Sequence, residues 1–292
     1  MEESIISTYL IPCVLAIMMI GMGMTLHLRD FHRLVEQPKA VITGLLSQVL
    51  LLPLLGFVVV KLFPLQPEYA VGVMVISLCP GGVGSNLLTL IARADTALSV
   101  TLTAISNVLL IFTLPMLINL SLRTLIGAQA HVLLPVGQTI ITTSFITIIP
   151  ILIGMALGHR WPDLAARSER GFRMFSGIFL VFLMLSIAFK NRDVILGSLL
   201  TLGPAIHCLN LGSMLIGFSL ATLAGLNLSQ RVTIAIETGF QNAALAILVT
   251  TTFLHNPQMA LAPAFYGGAM FLGAFLLIGM IKLMKPVPSL AQ

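Results

Sequence analysis

Nine apolar runs dominate the chain, at about residues 6 to 27, 40 to 62, 69 to 92, 96 to 122, 132 to 158, 172 to 189, 194 to 223, 231 to 254 and 261 to 284. A helix rises about 1.5 Å per residue, so roughly 20 apolar residues cross the hydrocarbon of a bilayer. There every backbone N–H and C=O must be satisfied within the segment, which makes each run a helix. The runs are apolar all round rather than striped, as lipid-embedded helices are. Charged residues make up 9% of the chain, against roughly 25% in a soluble domain. Mean hydropathy is +1.05. The sequence therefore predicts an all-α polytopic membrane protein of about nine transmembrane helices, with residues 1–292 as a single transmembrane domain. The first run follows Met1, Glu2 and Glu3 without a basic leader and passes Gly21 and Gly23 without a cleavage pattern, so it reads as a retained helix.

The net charge of +5 does not indicate nucleic acid, because the Lys and Arg residues lie scattered between apolar runs with no basic stripe. They report topology instead. Arg29, Arg33, Lys39, Arg93, Arg160, Arg167, Arg170, Arg173, Arg231, Lys282 and Lys285 fall on one side, and Lys61, Arg123, Lys190 and Arg192 on the other. The positive-inside rule then expects the C-terminus in the cytoplasm and the N-terminus outside, in a bacterial inner membrane. Cys13, Cys79 and Cys208 stand singly in apolar segments, without spacing for zinc, redox chemistry or a structural disulfide.

The longest polar connection, GHRWPDLAARSERG at 158 to 171, divides the chain into residues 1–158 and 159–292. Each half contains one interrupted apolar segment, within approximate core regions 69–122 and 194–254. Interrupted helices in related positions point to an inverted-repeat transporter with its site at the repeat interface, the first repeat here lacking its leading helix.

Of the ten acidic residues, only Glu237 lies inside an apolar run, IAIETGFQNAALAILV. A carboxylate there costs at least about 2.5 to 3.5 kcal/mol unless partnered. No Lys or Arg occupies the core of any run, so a bound cation or a proton is the expected partner; a neutral Glu hydrogen-bonded to a neighbouring helix is the structural alternative. Gln241 follows one helical turn later on the same face, beside Asn242, and Gly239 between them lets the backbone open and present carbonyls. Hard cations take several oxygen ligands of this kind.

The other interruption is CPGGVGSN at 79 to 86. Pro80 removes a backbone donor, and Gly81, Gly82 and Gly84 relax the chain. Ser85 and Asn86 then open a new half-helix, whose N-terminal N–H groups favour an anion; a packing kink would use the same glycines. On the next segment Ser99 and Thr103 share a face with Ser106, although a membrane Ser or Thr commonly bonds its own i−4 carbonyl. Gln48 is an amide in an otherwise apolar helix and needs a partner. His207 and Asn210 are polar groups suited to packing or to lining a cavity.

Together, GMGMTL at 21 to 26, CPGGVGSN at 79 to 86, ARADTALSVTLT at 92 to 103 and ETGFQNAALA at 237 to 246 resemble the bile acid:sodium symporter family, over about Ile11 to Leu283. The resemblance implies a panel domain and a core domain, with two broken helices crossing at mid-membrane beside two sodium sites. Carried over by position, the first site is Ser85, Asn86, Ser99, Thr103 and Glu237. The second is Gln48, Glu237, Gln241 and the backbone carbonyls of Thr238 and Phe240. Asn242 falls where the family places substrate, with Gly82, Val83, His207 and Tyr266 as further candidate contacts. Bile-acid carriers have a Trp-His-Asn cluster in the last helix, where this chain reads AFYGGAMFLGA at 264 to 274, and Val83 stands where a hydroxyl residue is common. A smaller carboxylate or sulfonate is therefore as good an expectation as a bile acid.

The expected function is sodium-coupled import of an organic anion by alternating access, with sodium as coupling ion and no organic cofactor. The rival is a proton-coupled carrier of the same architecture. An intramembrane enzyme lacks its parts, since paired aspartates, HExxH and GxSxG are missing; a channel or passive sensor would not accumulate solute against a gradient.

Overall fold

The computed structural model describes residues 9–82, 84–127, 133–193 and 195–284. In chain order the helices are α1 (Ile11–Met24), α2 (Leu28–Glu36), α3 (Pro38–Leu46), α4 (Leu52–Leu62), α5 (Pro67–Ser77), α6 (Ser85–Ile91) and α7 (Thr96–Leu125). They continue with α8 (Val136–Ile146), α9 (Ile148–Arg160), α10 (Pro162–Lys190), α11 (Ile195–Leu223), α12 (Leu228–Gly239), α13 (Ala243–Leu248) and α14 (Leu261–Met284). Wider π-type turns, Ser47–Leu51 and Val249–Phe253, join α3 to α4 and extend α13. No strand forms among the described residues.

Local chemistry fixes the starts. Pro38, Pro67 and Pro162 sit in the first turns of α3, α5 and α10, where a missing N–H costs nothing. Asn227 and Gln230 close a capping box on α12. Asp95 caps α7 by accepting from Leu98 N, and also pairs with Arg33 at 2.9 Å. Its own N–H donates to Thr233 Oγ1 at 2.9 Å, so one aspartate joins α2, α7 and α12 at one end of the molecule.

Six helical stretches are long and apolar enough to cross a membrane: Pro38–Leu62, Thr96–Leu125, Val136–Arg160, Pro162–Lys190, Gly197–Leu223 and Leu261–Leu283. A seventh candidate is α1 taken with α2, bent by 65°. Residues 28–36, a polar connection between the first two apolar runs by sequence, form a polar helix with no buried residue. The third and eighth apolar runs are each split, into α5 and α6 and into α12 and α13.

α1 packs chiefly on α9 and α10, whereas α11 packs on α12, α14 and α4, and α5 on α14, α4 and α7. The α1–α9 contact is backbone against backbone. A Cβ on Gly154 would lie 2.2 Å from Ile20 O, one on Gly23 2.2 Å from Ile151 O, and one on Gly158 2.5 Å from Met24 O. Small residues permit this approach where no hydrophobic force drives helices together. Gly154→Val should therefore lower thermal stability by about 1–3 kcal/mol or more, because backbone cannot move aside as a side chain can. Gly279→Ala, with nothing within 4 Å of the new Cβ, should stay within about 0.5 kcal/mol of wild type. Thermal unfolding of the purified variants reads the difference.

Candidate functional site

The two interruptions meet. Gly82 N donates to Phe240 O at 2.9 Å, and Asn242 N donates to Pro80 O at 2.8 Å, a reciprocal pair about the antiparallel bridge between Gly81 and Gln241. Broken helices leave backbone groups that nothing in lipid could satisfy, and here each break satisfies the other. The carbonyl of Gly239, freed at the end of α12, accepts from Asn210 Nδ2 at 2.7 Å and from Tyr266 Oη at 2.9 Å. Asn242 caps α13 by accepting from Leu245 N.

Beside this crossing Glu237 is fully buried. None of the ion pairs among the described residues includes it. Its surroundings are oxygen. Ser99 Oγ bonds Glu237 Oε1 and also Asn86 Oδ1 at 2.8 Å. Thr103 Oγ1 lies 2.9 Å from Glu237 Oε2 and 3.0 Å from Ser99 O, with Ser85 Oγ 3.4 Å from Thr103 Oγ1. Each hydroxyl has one hydrogen to give, and both Ser99 and Thr103 face two acceptors. The cluster is thus rich in oxygen and short of protons.

On the other flank Gln48 Nε2 donates to Glu237 O at 2.8 Å, and Gln241 Nε2 donates to Glu237 O at 3.1 Å and Thr238 O at 2.7 Å. Gln48 Oε1 and Gln241 Oε1 are buried and receive no hydrogen bond from any described residue. A buried orphaned acceptor costs about 1–3 kcal/mol, and two of them on amides that both bond the Glu237 backbone carbonyl suit a cation. The wide turn at Ser47–Leu51 sets the position of Gln48 on its helix. Gly81, in the break between α5 and α6, closes the site: a Cβ there would lie 2.8 Å from Glu237 Oε2, 3.4 Å from Gln48 Nε2 and 3.6 Å from Thr103 Oγ1.

The structure thus brings Gln48, Ser85, Asn86, Ser99, Thr103, Glu237 and Gln241 together. The Thr238 carbonyl faces Gln241 Nε2, and its hydroxyl is tied to Ile234 O. Phe240 O is bonded to Gly82 N and keeps a second lone pair. Gly82 and Asn242 line a cavity of about 340 Å3 on the side of the crossing facing α10 and α14, with Phe240, Met270 and Phe271. His207 and Tyr266, expected to touch substrate, do not line it. His207 is exposed on α11, its Nδ1 2.8 Å from Gly203 O, and Tyr266 is fully buried behind the break, drawn there by the freed Gly239 carbonyl. Val83 lies outside the described residues. Thr89, missed in the sequence, reaches Ser99 Oγ at 3.3 Å; its spacing of four from Ser85 was the available signal.

Two broken helices crossing beside a buried carboxylate are the build of a membrane transporter. The chain belongs to the sodium bile acid symporter family, whose model matches residues 12–198. It is similar to YocS of Bacillus subtilis, described as a sodium-dependent transporter, at 33% identity over 261 residues, covering 89% of this chain and 79% of that one. It is also similar to the ileal sodium/bile acid cotransporter of Homo sapiens, at 28% over 245 residues, 83% of this chain and 69% of that one. The "Probable sodium/metabolite cotransporter BASS1, chloroplastic" of Oryza sativa subsp. japonica is 32% identical over 243 residues; the match takes in 83% of this chain but only 58% of that relative's length.

Proposed function

We propose that the chain is a sodium-coupled symporter that imports an organic anion by alternating access, with Glu237 shared by two sodium sites. The observation that carries this reading is the pair of orphaned amide oxygens, Gln48 Oε1 and Gln241 Oε1, beside a buried carboxylate that no described basic residue pairs with. Ser85, Asn86, Ser99 and Thr103 with Glu237 supply the first site. Gln48, Gln241, Glu237 and the carbonyls of Thr238 and Phe240 supply the second. In the second site a cation takes the carbonyls that the two amide N–H groups now occupy, and each amide turns its oxygen inward.

Counting the bent and the two broken segments as one crossing each, with the six long helices, gives nine crossings. An odd number puts the termini on opposite faces, and the Lys and Arg bias favours the N-terminus outside and the C-terminus in the cytoplasm of a bacterial inner membrane. The pairing of α5–α6 with α12–α13 across a shared bridge supports inverted repeats. α1 packs chiefly on α9 and α10 while α11 packs on α12 and α14, the two groups meeting where α8 touches α7 and α10 touches α14; this division supports a panel rocking against a core. The substrate sits between them, in the cavity beside Gly82 and Asn242. The absence of the last-helix Trp-His-Asn cluster favours a carboxylate or sulfonate smaller than a bile acid.

Two sodium ions with a monovalent anion carry one net charge inward, gaining about 2.3 kcal/mol per 100 mV. In proteoliposomes an inward sodium gradient should therefore accumulate an anion from a panel of carboxylates and sulfonates, faster at inside-negative potential. Accumulation driven by a proton gradient in sodium-free buffer would favour the proton-coupled alternative and contradict this one.

A further inference from the structure

The cavity beside the crossing is almost wholly apolar, lined by Met18, Leu88, Leu180, Phe240, Met270 and Phe271 among others. Arg173 is the one ionisable side chain among its described lining residues. An apolar cavity with a few convergent polar groups is the usual form of a small-molecule site, and about 340 Å3 is at the small end of the range. Arg173 also lines the adjoining cavity, which contains Asn86 of the proton-poor cluster, Thr96 and Glu169. It therefore stands where the two spaces meet, on α10, facing the crossing from the opposite wall. Its side chain is 33% exposed, and its partner is Glu169, one turn earlier on the same helix and 46% exposed.

That pair is suited to exchange. An exposed ion pair within a helix is worth little, and its bond is readily given up. A guanidinium meets a carboxylate or sulfonate with two parallel donors, a stronger arrangement in an apolar cavity than at the open surface. Asn242 and Ser176 line the same space and can meet the polar remainder of a ligand.

We propose that Arg173 is the residue that reads the substrate's negative charge, and that Glu169 holds it between substrates: the incoming carboxylate or sulfonate displaces Glu169 while the apolar wall takes the body of the molecule. This rests on the transport reading above and specifies its substrate as a compact monoanion with an apolar body. Substrate charge is then recognised on the α10 wall, while sodium is held across the crossing at Glu237. Glu169 acts by competing for Arg173, so removing its charge should tighten binding of the anion.

Thermal stabilisation of the purified protein, in saturating sodium, tests this with hexanoate, benzoate, hexane-1-sulfonate and cholate, each anion beside its neutral amide. At least one anion should stabilise wild type and its amide should not. Arg173→Gln should weaken that anion about ten- to hundred-fold, Arg173→Lys should weaken it less, and Glu169→Gln should strengthen it about two- to five-fold. All three variants should keep the wild-type sodium response, which shows that they fold. The proposal is overturned if the anion acts equally on Arg173→Gln, if Glu169→Gln weakens it, if the amide acts as well as the acid, or if no anion acts on sodium-stabilised wild type. A wild type without any sodium response would overturn the coupling reading itself, and this proposal with it.

Discussion

Glu237→Gln should abolish the response to sodium while leaving a folded protein. Gln is nearly the same shape, so Ser99 and Thr103 can still bond the side chain, but the charge that the two proposed sodium sites would share is gone. Wild type should gain about 2.7 kcal/mol for each site when sodium is at a hundred times its Kd; the variant should gain none. The baseline should move the other way. In sodium-free buffer the wild-type carboxylate is buried without an ion-pair partner among the described residues, a costly arrangement. Glu237→Gln should accordingly be at least as stable as wild type without sodium and clearly less stable with it, so that the two melting curves cross as sodium rises. A variant destabilised equally with and without sodium, its sodium response intact, would give Glu237 a purely structural role.

Gly81→Val should be nearly as damaging to sodium binding, although the residue carries no ligand. The Cβ alone would lie 2.8 Å from Glu237 Oε2, with Gln48 Nε2 and Thr103 Oγ1 also within 4 Å. The branches of Val then occupy the space between the carboxylate and the amide, and the reciprocal bridge with Gln241 limits how far the backbone can retreat. Sodium affinity should fall by at least a hundredfold, with loss of sodium-driven uptake. Gly81→Ala should fall between Val and wild type. Equal sodium response in the Val variant would place the cation elsewhere than the pocket between Glu237, Gln48 and Thr103.

Much of this site is legible in the sequence because the membrane makes local anomalies conspicuous. A carboxylate in an apolar run, a Pro-Gly-Gly interruption and an amide four residues from the carboxylate each violate the pattern around them, so each marks a position with another task. All of Gln48, Ser85, Asn86, Ser99, Thr103, Glu237 and Gln241 come together around the crossing. The missed features depend on distances between helices. Tyr266 has the chemistry of a substrate contact, but the carbonyl freed at Gly239 claims its hydroxyl. Asn210 serves the same carbonyl, which no local pattern reveals. Gly81 reads as a helix breaker, whereas its lack of a side chain also makes room beside Glu237. The polar helix α2 lies in a stretch whose charges suggest only a loop. Arg173 looks in sequence like one more topology residue, and only the fold sets it in the wall of the cavity.

Equilibrium binding of radioactive sodium to the purified chain, with potassium holding the ionic strength, tests the central claim most directly. Two sodium ions should bind per wild-type chain, about one to Gln241→Ala and none to Glu237→Gln. Stoichiometric sodium binding that persists in Glu237→Gln, or no sodium binding by folded wild type, would contradict a pair of sites joined at Glu237.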